Sequence, residues 1–345
     1  MTLTAAGAGI LVAGAQGVEL ISTPSSTGAP SRVLSRVGIP QSSFLLPGTR
    51  PGVVYVLSGD ETGGRLTILD VTGEAISIRS QVPIAGAEPC HAAVIGDGSH
   101  LAVANYVSGD VALFVLDEDG LPRPEGVVAL PAGTGPDQDR QESPHPHFVL
   151  ARAGLPVAAD GLGTGLEALI VDLGADRLCR LVRADGDWSI ETGIALPAGA
   201  GPRHAVVVGS HLVVSDELSA EVSVIDLSAA ETLQTVAATR IPGAEPAYPG
   251  DIVALGDGAV AVAIRSRNTV AILDVDDSGV AHRTEVPAGR WPQQVSWDGA
   301  RLLALARDSG ELLRIDPETG DVEVILTSLD APMWAIDLPA EGDAG

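Results

Sequence analysis

The chain has 345 residues, 45% of them hydrophobic and only 3% aromatic, with 41 Gly, 24 Pro and a formal net charge of −25. That charge excludes recognition of nucleic acid by phosphate neutralisation and attachment to anionic membrane surfaces. All 20 basic residues other than histidine are arginine, so lysine chemistry, from a Schiff base to a phosphate-loop lysine, is excluded too.

The N-terminal stretch MTLTAAGAGILVAGAQGVELIST has no basic leader, and its apolar run is short and broken by glycine. It reads as strand rather than signal peptide. No stretch approaches the ~18 uninterrupted apolar residues of a membrane span. Cys90 and Cys179 show neither CxxC spacing nor a disulfide framework. A soluble, cytoplasmic protein is expected, as a monomer or weak homodimer.

From residue 42 onward, short runs of Val, Ala and Leu alternate with Gly-, Asp- and Ser-rich turns. The clearest copy is HAAVIGDGSHLAVANYVSGDVALFVLDEDG (91–120), which reads strand, turn, strand, turn, strand. The pattern returns over 203–227, 251–279 and 294–320, and in weaker form over 42–73 and 147–186. Aligned on Pro40, Pro89, Pro146, Pro202, Pro249 and Pro292, the repeats lie 49, 57, 56, 47 and 43 residues apart. APMWAIDLP (331–339) opens one more repeat at Pro332 and stops after a single strand.

Periods of ~40–50 residues carrying four short strands mark a β-propeller. The sequence therefore predicts an all-β, seven-bladed β-propeller with four-stranded antiparallel blades, a single domain over 1–345. Six blades are complete. The seventh forms when the strands of 9–37 pair with 331–338, which closes the ring and removes the open sheet edge. A β-sandwich of regular hairpins is the alternative, but it gives no reason for the last repeat to break off after one strand.

In a propeller the first strand of each blade lines the central channel, so the polar residues beside each aligned proline converge on one face. These are Cys90 and His91, His145 and His147, Arg203 and His204, Asp251, Gln293 and Gln294, and Trp334. A second set ends the second strands: Asn105, Asp172, Glu217 and Arg265. Four of the seven histidines fall in these sets, while His100, His211 and His282 read as turn or surface positions. Such a concentration of titratable groups points to a site. There is no GxSxG, HExxH or dinucleotide fingerprint. His145 and His147 flank a proline at i,i+2 and need not converge on a metal, so neither metal nor cofactor is expected.

At these residues the sequence resembles the lactonase-type seven-bladed propellers, which include 6-phosphogluconolactonase and the carboxy-cis,cis-muconate cyclases. The resemblance spans essentially the whole chain and rests on DRQESPHPHFV, LIVDLGADRLCRLVR, GPRHAVVVGSHLVVSDELSAEVSVID and RWPQQVSWDGARLLALARDSGELLRIDPETG. It implies a site built from His145, His147, Asp172, Arg203, His204, Glu217 and Arg265, to which the rim pattern adds His91 and Asn105. Ser58-Gly59 stand where the family usually carries Asn-Glu, and Asp251 where Glu is common.

The chemistry expected is hydrolysis of a small sugar or carboxylated lactone, with His147 or Glu217 activating water, His204 beside them, and Arg203 and Arg265 holding the oxyanion or a substrate acid. Asp172 is expected to orient a histidine. Arg140 would add positive charge for a phosphorylated lactone. Muconate-type cyclisation, and a non-catalytic propeller that binds a ligand or a protein, are the alternatives.

Overall fold

The computed structural model describes residues 9–22, 31–156, 162–256, 258–276, 279–297, 299 and 302–338. It contains seven four-stranded antiparallel sheets arranged as propeller blades. Blade 1 joins Gly9–Gly14, Gly17–Ser22 and Val33–Gly38 to Trp334–Leu338, which pairs with Gly9–Gly14 and so closes the ring as expected. Blades 2 to 7 open with the inner strands Ser42–Pro47, Pro89–Ile95, Pro146–Ala151, Pro202–Val208, Pro249–Leu255 and Pro292–Trp297. Each inner strand touches that of the blade on either side. Within blade 4, residues 157–161 lie outside the described residues.

Composition explains this arrangement. The second strands, such as HLAVAN, AVAVAI and LLALA, are buried throughout. They are sandwiched between neighbouring blades, so both faces must be apolar and small enough to fit between two twisted sheets. The outermost strands, such as AISIRSQVPI, are largely exposed and carry the charge. Seven apolar clusters result, one at each junction between adjacent blades.

One alignment shifts. Ser42 pairs with Ser58 as Pro89 pairs with Asn105, so Ser42 is blade 2's counterpart of the prolines and Pro40 stands two residues ahead.

Two residues beyond the proline position, each blade projects one side chain onto the channel axis: Trp334, Phe44, His91, Phe148, His204, Asp251 and Gln294 from blades 1 to 7. These seven form a closed circuit. Ring centroids lie 4.7 Å apart for Phe44–Trp334, 4.3 Å for Phe44–His91, 4.0 Å for His91–Phe148 and 4.9 Å for Phe148–His204. His204 Nδ1 is 2.7 Å from Asp251 Oδ1, and Asp251 Oδ2 accepts the Val295 N–H of blade 7. The Gln294 amide bonds both ways to the backbone of Ala335, beside Trp334. The His91 Nδ1 accepts the Val149 N–H from the next blade. This layer plugs the channel, leaving one mouth above it and another below.

Removing residues 331–345 would take Trp334 from the circuit and leave Gly9–Gly14 as an open edge. The truncated chain is expected to lose cooperative thermal unfolding, followed by circular dichroism, and Trp334→Ala alone to cost about 3 kcal/mol. A truncated chain melting like the full one would contradict this.

Candidate active site

Above the plug the chain repeats one local device. The residue before each inner strand, or before its proline in blade 1, has positive φ in six blades: Ala331, Gln41, Glu88, Gly201, Tyr248 and Trp291. A non-glycine residue there costs ~1 kcal/mol, so the corner must be held in place. In blades 2 to 7 its carbonyl accepts the N–H of the residue that follows the second strand's pairing with the proline position. Thus Gln41 holds Gly59, Glu88 holds Tyr106, His145 holds Leu173, Gly201 holds Glu217, Tyr248 holds Arg265 and Trp291 holds Arg307, at 2.8–3.4 Å. Corner and rim residue are locked as a pair, and in blades 2, 3, 6 and 7 both line the mouth.

Three tiers therefore surround a cavity of about 770 Å³, a size suited to a small ligand. The corners supply Gln41, Glu88, Tyr248 and Trp291. The rim supplies Ala15, Gly59, Tyr106, Glu217, Arg265 and Arg307. One residue into the inner strands come Ser43, Cys90, His147, Arg203, Gln293 and Met333, above a floor that includes His204 and Trp334. Arg140 leans in from the loop ahead of blade 4.

Charge is concentrated on blades 5 to 7. Buried Glu217 receives three arginines: Arg203 Nη1 and Arg265 Nη2 each lie 2.7 Å from Oε2, and Arg140 Nη2 lies 2.9 Å from Oε1. Burial alone would push this carboxyl up, but Arg203, Arg265 and Arg140 together outweigh it and hold it well below the usual carboxylate range. Burial and the adjacent Arg203 bring Arg265 down to about 10, so it stays charged at neutral pH. The cluster carries a net charge of +2, a local exception to the −25 of the chain. Two guanidinium groups lie over the Trp291 ring, Arg265 at 5.5 Å and Arg307 at 4.9 Å from its centroid, within the range of cation–π attraction.

Burial favours the neutral form of the imidazoles in and beneath the bowl. Burial, then Arg203 and His204, hold His147 well below its ordinary value, and burial likewise lowers His91 and His204. Asp251 takes the Nδ1–H of His204, which leaves the Nε2 lone pair as the basic position. His147 and His204 ring centres are 5.2 Å apart. His147 Nδ1, Arg203 Nε, Gln293 Oε1 and Trp291 Nε1 are buried without a hydrogen-bond partner among the described residues. Such orphaned groups are costly unless something else satisfies them.

Of the residues expected at the site, His147, Arg203, His204, Glu217 and Arg265 line this cavity. The other four stand apart from it. His91 belongs to the plug. His145 stacks on the outside of Tyr106 at 4.5 Å, its ring nitrogens facing the Tyr106 carbonyl and Glu142. Asp172 accepts the His145 backbone N–H and the Arg177 Nε–H, so it orders the loop and, among the described residues, hydrogen-bonds no imidazole. Asn105 ties the Ala85 carbonyl to Asp110. The reason is register. Asn105 and Asp172 pair with the prolines, whereas Glu217 and Arg265 come one residue later, and one residue reverses the direction of a strand side chain. Tyr106, Tyr248, Trp291, Arg307 and Glu88 escaped the sequence reading, although each sits at a corner or rim position once that register is known.

The family model described as Lactonase, 7-bladed beta-propeller matches residues 4–335. A curated relative from Bacillus subtilis, 6-phosphogluconolactonase, is 29% identical over 76% of this chain and 75% of its own length. Among solved structures, one from Bacteroides fragilis superposes with a TM-score of 0.81 at 21% identity, covering 98% of this chain and 100% of that one. A periplasmic gluconolactonase of Pseudomonas aeruginosa gives a TM-score of 0.80 at 20% identity, with 96% and 99% covered.

Glu217→Gln would leave three arginines facing one another with no counter-charge. Its expected cost is about 3 kcal/mol in denaturant unfolding, toward the low end for a broken buried pair because Arg140 reaches solvent. Inorganic phosphate should raise the variant's melting temperature more than the wild type's. Unchanged stability in the variant would contradict this picture of the cluster.

Proposed function

This chain belongs to the Lactonase, 7-bladed beta-propeller family, and we propose that it hydrolyses a small sugar lactone, of the kind named for its Bacillus subtilis relative, 6-phosphogluconolactonase. The observation that carries this reading is that His204, backed from below by Asp251, shares one cavity with the Arg203–Arg265–Arg140 cluster.

Lactone hydrolysis needs a base for water, positive charge for the oxyanion and a proton for the departing ring oxygen. His204 is the base. Asp251 fixes its tautomer and steadies the imidazolium formed when Nε2 takes the proton from water, as in an acid–histidine pair of a hydrolase. The hydroxide so generated attacks the lactone carbonyl. The oxyanion settles on Arg203, with Arg265 assisting. As the tetrahedral intermediate collapses, the C–O bond to the ring oxygen breaks, and that oxygen takes a proton from the His204 imidazolium or from Glu88 at the lip. Partial burial and the neighbouring Glu61 raise the Glu88 carboxyl, which favours its proton-bearing form.

Glu217, expected as a possible base, is better assigned to aligning the arginines, because a carboxylate held this far down has little affinity for a proton. His147, neutral and with Nδ1 unpaired, hydrogen-bonds the substrate or the attacking water. Arg140 and Arg307 at the outer edge receive an anionic substituent of the lactone. Both cysteines are free thiols, in keeping with a cytoplasmic location.

In a pH-stat assay corrected for spontaneous hydrolysis, His204→Gln is expected to lower kcat roughly 100-fold, and Arg203→Ala by a similar factor through loss of an oxyanion partner. The sign of the pH dependence follows from His204. Its base form is required and its pKa is lowered from 6.5, so kcat/KM should stay level as pH falls through 6.5 and decline only at more acidic values. Wild-type protein inert toward a panel of aldonolactones would overturn the reading.

A further inference from the structure

The wall of the mouth thins over blades 1 and 2. Where blades 3, 5, 6 and 7 place Tyr106, Glu217, Arg265 and Arg307 on the rim and Arg140 covers the arc of blade 4, these two place Ala15 and Gly59. No side chain could close the gap at Gly59. Its φ is +142°, and a Cβ there would lie 2.3 Å from the Gly63 carbonyl oxygen. Blade 2 also departs from its neighbours in height. The second strands of blades 3 to 7 end at Asn105, Asp172, Asp216, Ile264 and Ala306, level with the rim. In blade 2 the strand Val53–Asp60 runs on, pairing Gly59 with Gly64 and Asp60 with Gly63. The hairpin therefore stands above the face of the disc.

Beside it lies a second cavity of about 710 Å³, which shares Gln41 and Gly59 with the first as common wall. Its lining is polar and of mixed hydrogen-bonding character: Asp60, Thr62, Arg65 and Gln81 stand around the glycines 59, 63 and 64, with Thr62 Oγ1 donating to Asp60 and Gln81 Nε2 to Thr67, so that Arg65 is the open donor and the Asp60 and Gln81 oxygens the acceptors. Donors and acceptors set beside flat, side-chain-free backbone suit the hydroxyls and ring face of a sugar. Arg65 is exposed, and its guanidinium has no ion-pair or hydrogen-bond partner among the described residues, which leaves it available to a ligand.

We propose that this cleft is a second subsite that binds a further sugar residue attached to the lactone, so that the preferred substrate class is a disaccharide aldonolactone. The proposal rests on the lactonase reading for the ring held at the arginines and deepens it. The lactone carbonyl faces His204, and the glycosidic substituent leaves over Gly59 into the cleft.

The test is isothermal titration calorimetry with gluconate and cellobionate, the open-chain products of a one-sugar and a two-sugar lactone. The wild type should bind cellobionate roughly tenfold more tightly than gluconate, a difference of about 1.4 kcal/mol. Gln81→Trp, which fills the cleft, and Arg65→Ala should each erase that preference and leave gluconate affinity unchanged. Equal affinities in the wild type, no cellobionate binding, or equal weakening of both ligands by Gln81→Trp overturns the subsite. A preference for cellobionate in a protein that hydrolyses neither lactone sustains the subsite and removes the hydrolase reading instead.

Discussion

The molecule depends on a closed circuit of seven side chains across its axis, one from each blade. Each member touches the next by ring packing or by a hydrogen bond to the neighbouring blade, ending with Trp334 against Phe44. A ring of repeats held only through nearest-neighbour interfaces has no reason to close at seven unless its two ends meet. Here the C-terminal strand supplies both the missing pairing partner of Gly9–Gly14 and the last aromatic of the layer. Closure thus satisfies the backbone and the core in one step.

The same layer makes a site possible. By plugging the channel it separates the upper cavity from the more apolar lower mouth, where Leu150, Val207, Val253 and Ile336 face inward. The upper cavity becomes a dead-end bowl that strips water from His204 and His147 and keeps both neutral. Low dielectric also strengthens the arginine cluster on Glu217, since desolvated charges interact more strongly than those in water. The strained corners at Glu88, Tyr248 and Trp291 fit this view: backbone in sparsely populated regions persists where surrounding structure over-determines it, and functional sites are where it gathers.

Much of this was legible in the sequence because its signals are periodic. Turn residues every few positions fixed the strands, recurrent prolines fixed the blade boundaries, and the fragment at Pro332 revealed the closure. The site was legible only to within one residue. Asn105 and Asp172 look equivalent to Glu217 and Arg265, yet the two pairs face opposite ways because the first pair closes its strands and the second comes one residue beyond. The aromatic members of the mouth, Tyr106, Tyr248 and Trp291, gave no chemical signal of their own; only their place before a proline or after a strand identifies them. Asp251 was visible as a rim residue, but its bond to His204 joins two blades and depends on a plug geometry that spacing along the chain does not encode.

A propeller of this kind carries many chemistries, so function rests on the bowl rather than on the fold. In this chain the bowl is asymmetric, with cationic and aromatic groups on one arc and small residues on the other. That asymmetry dictates how a ligand must lie. The most direct measurement is a crystal structure with bound gluconate: its carboxylate should accept from the Arg203 guanidinium while a gluconate hydroxyl or a bridging water donates to His204 Nε2, above an intact seven-residue layer. Gluconate seated in the lower mouth, or an upper bowl holding only water at saturating gluconate, would contradict the account.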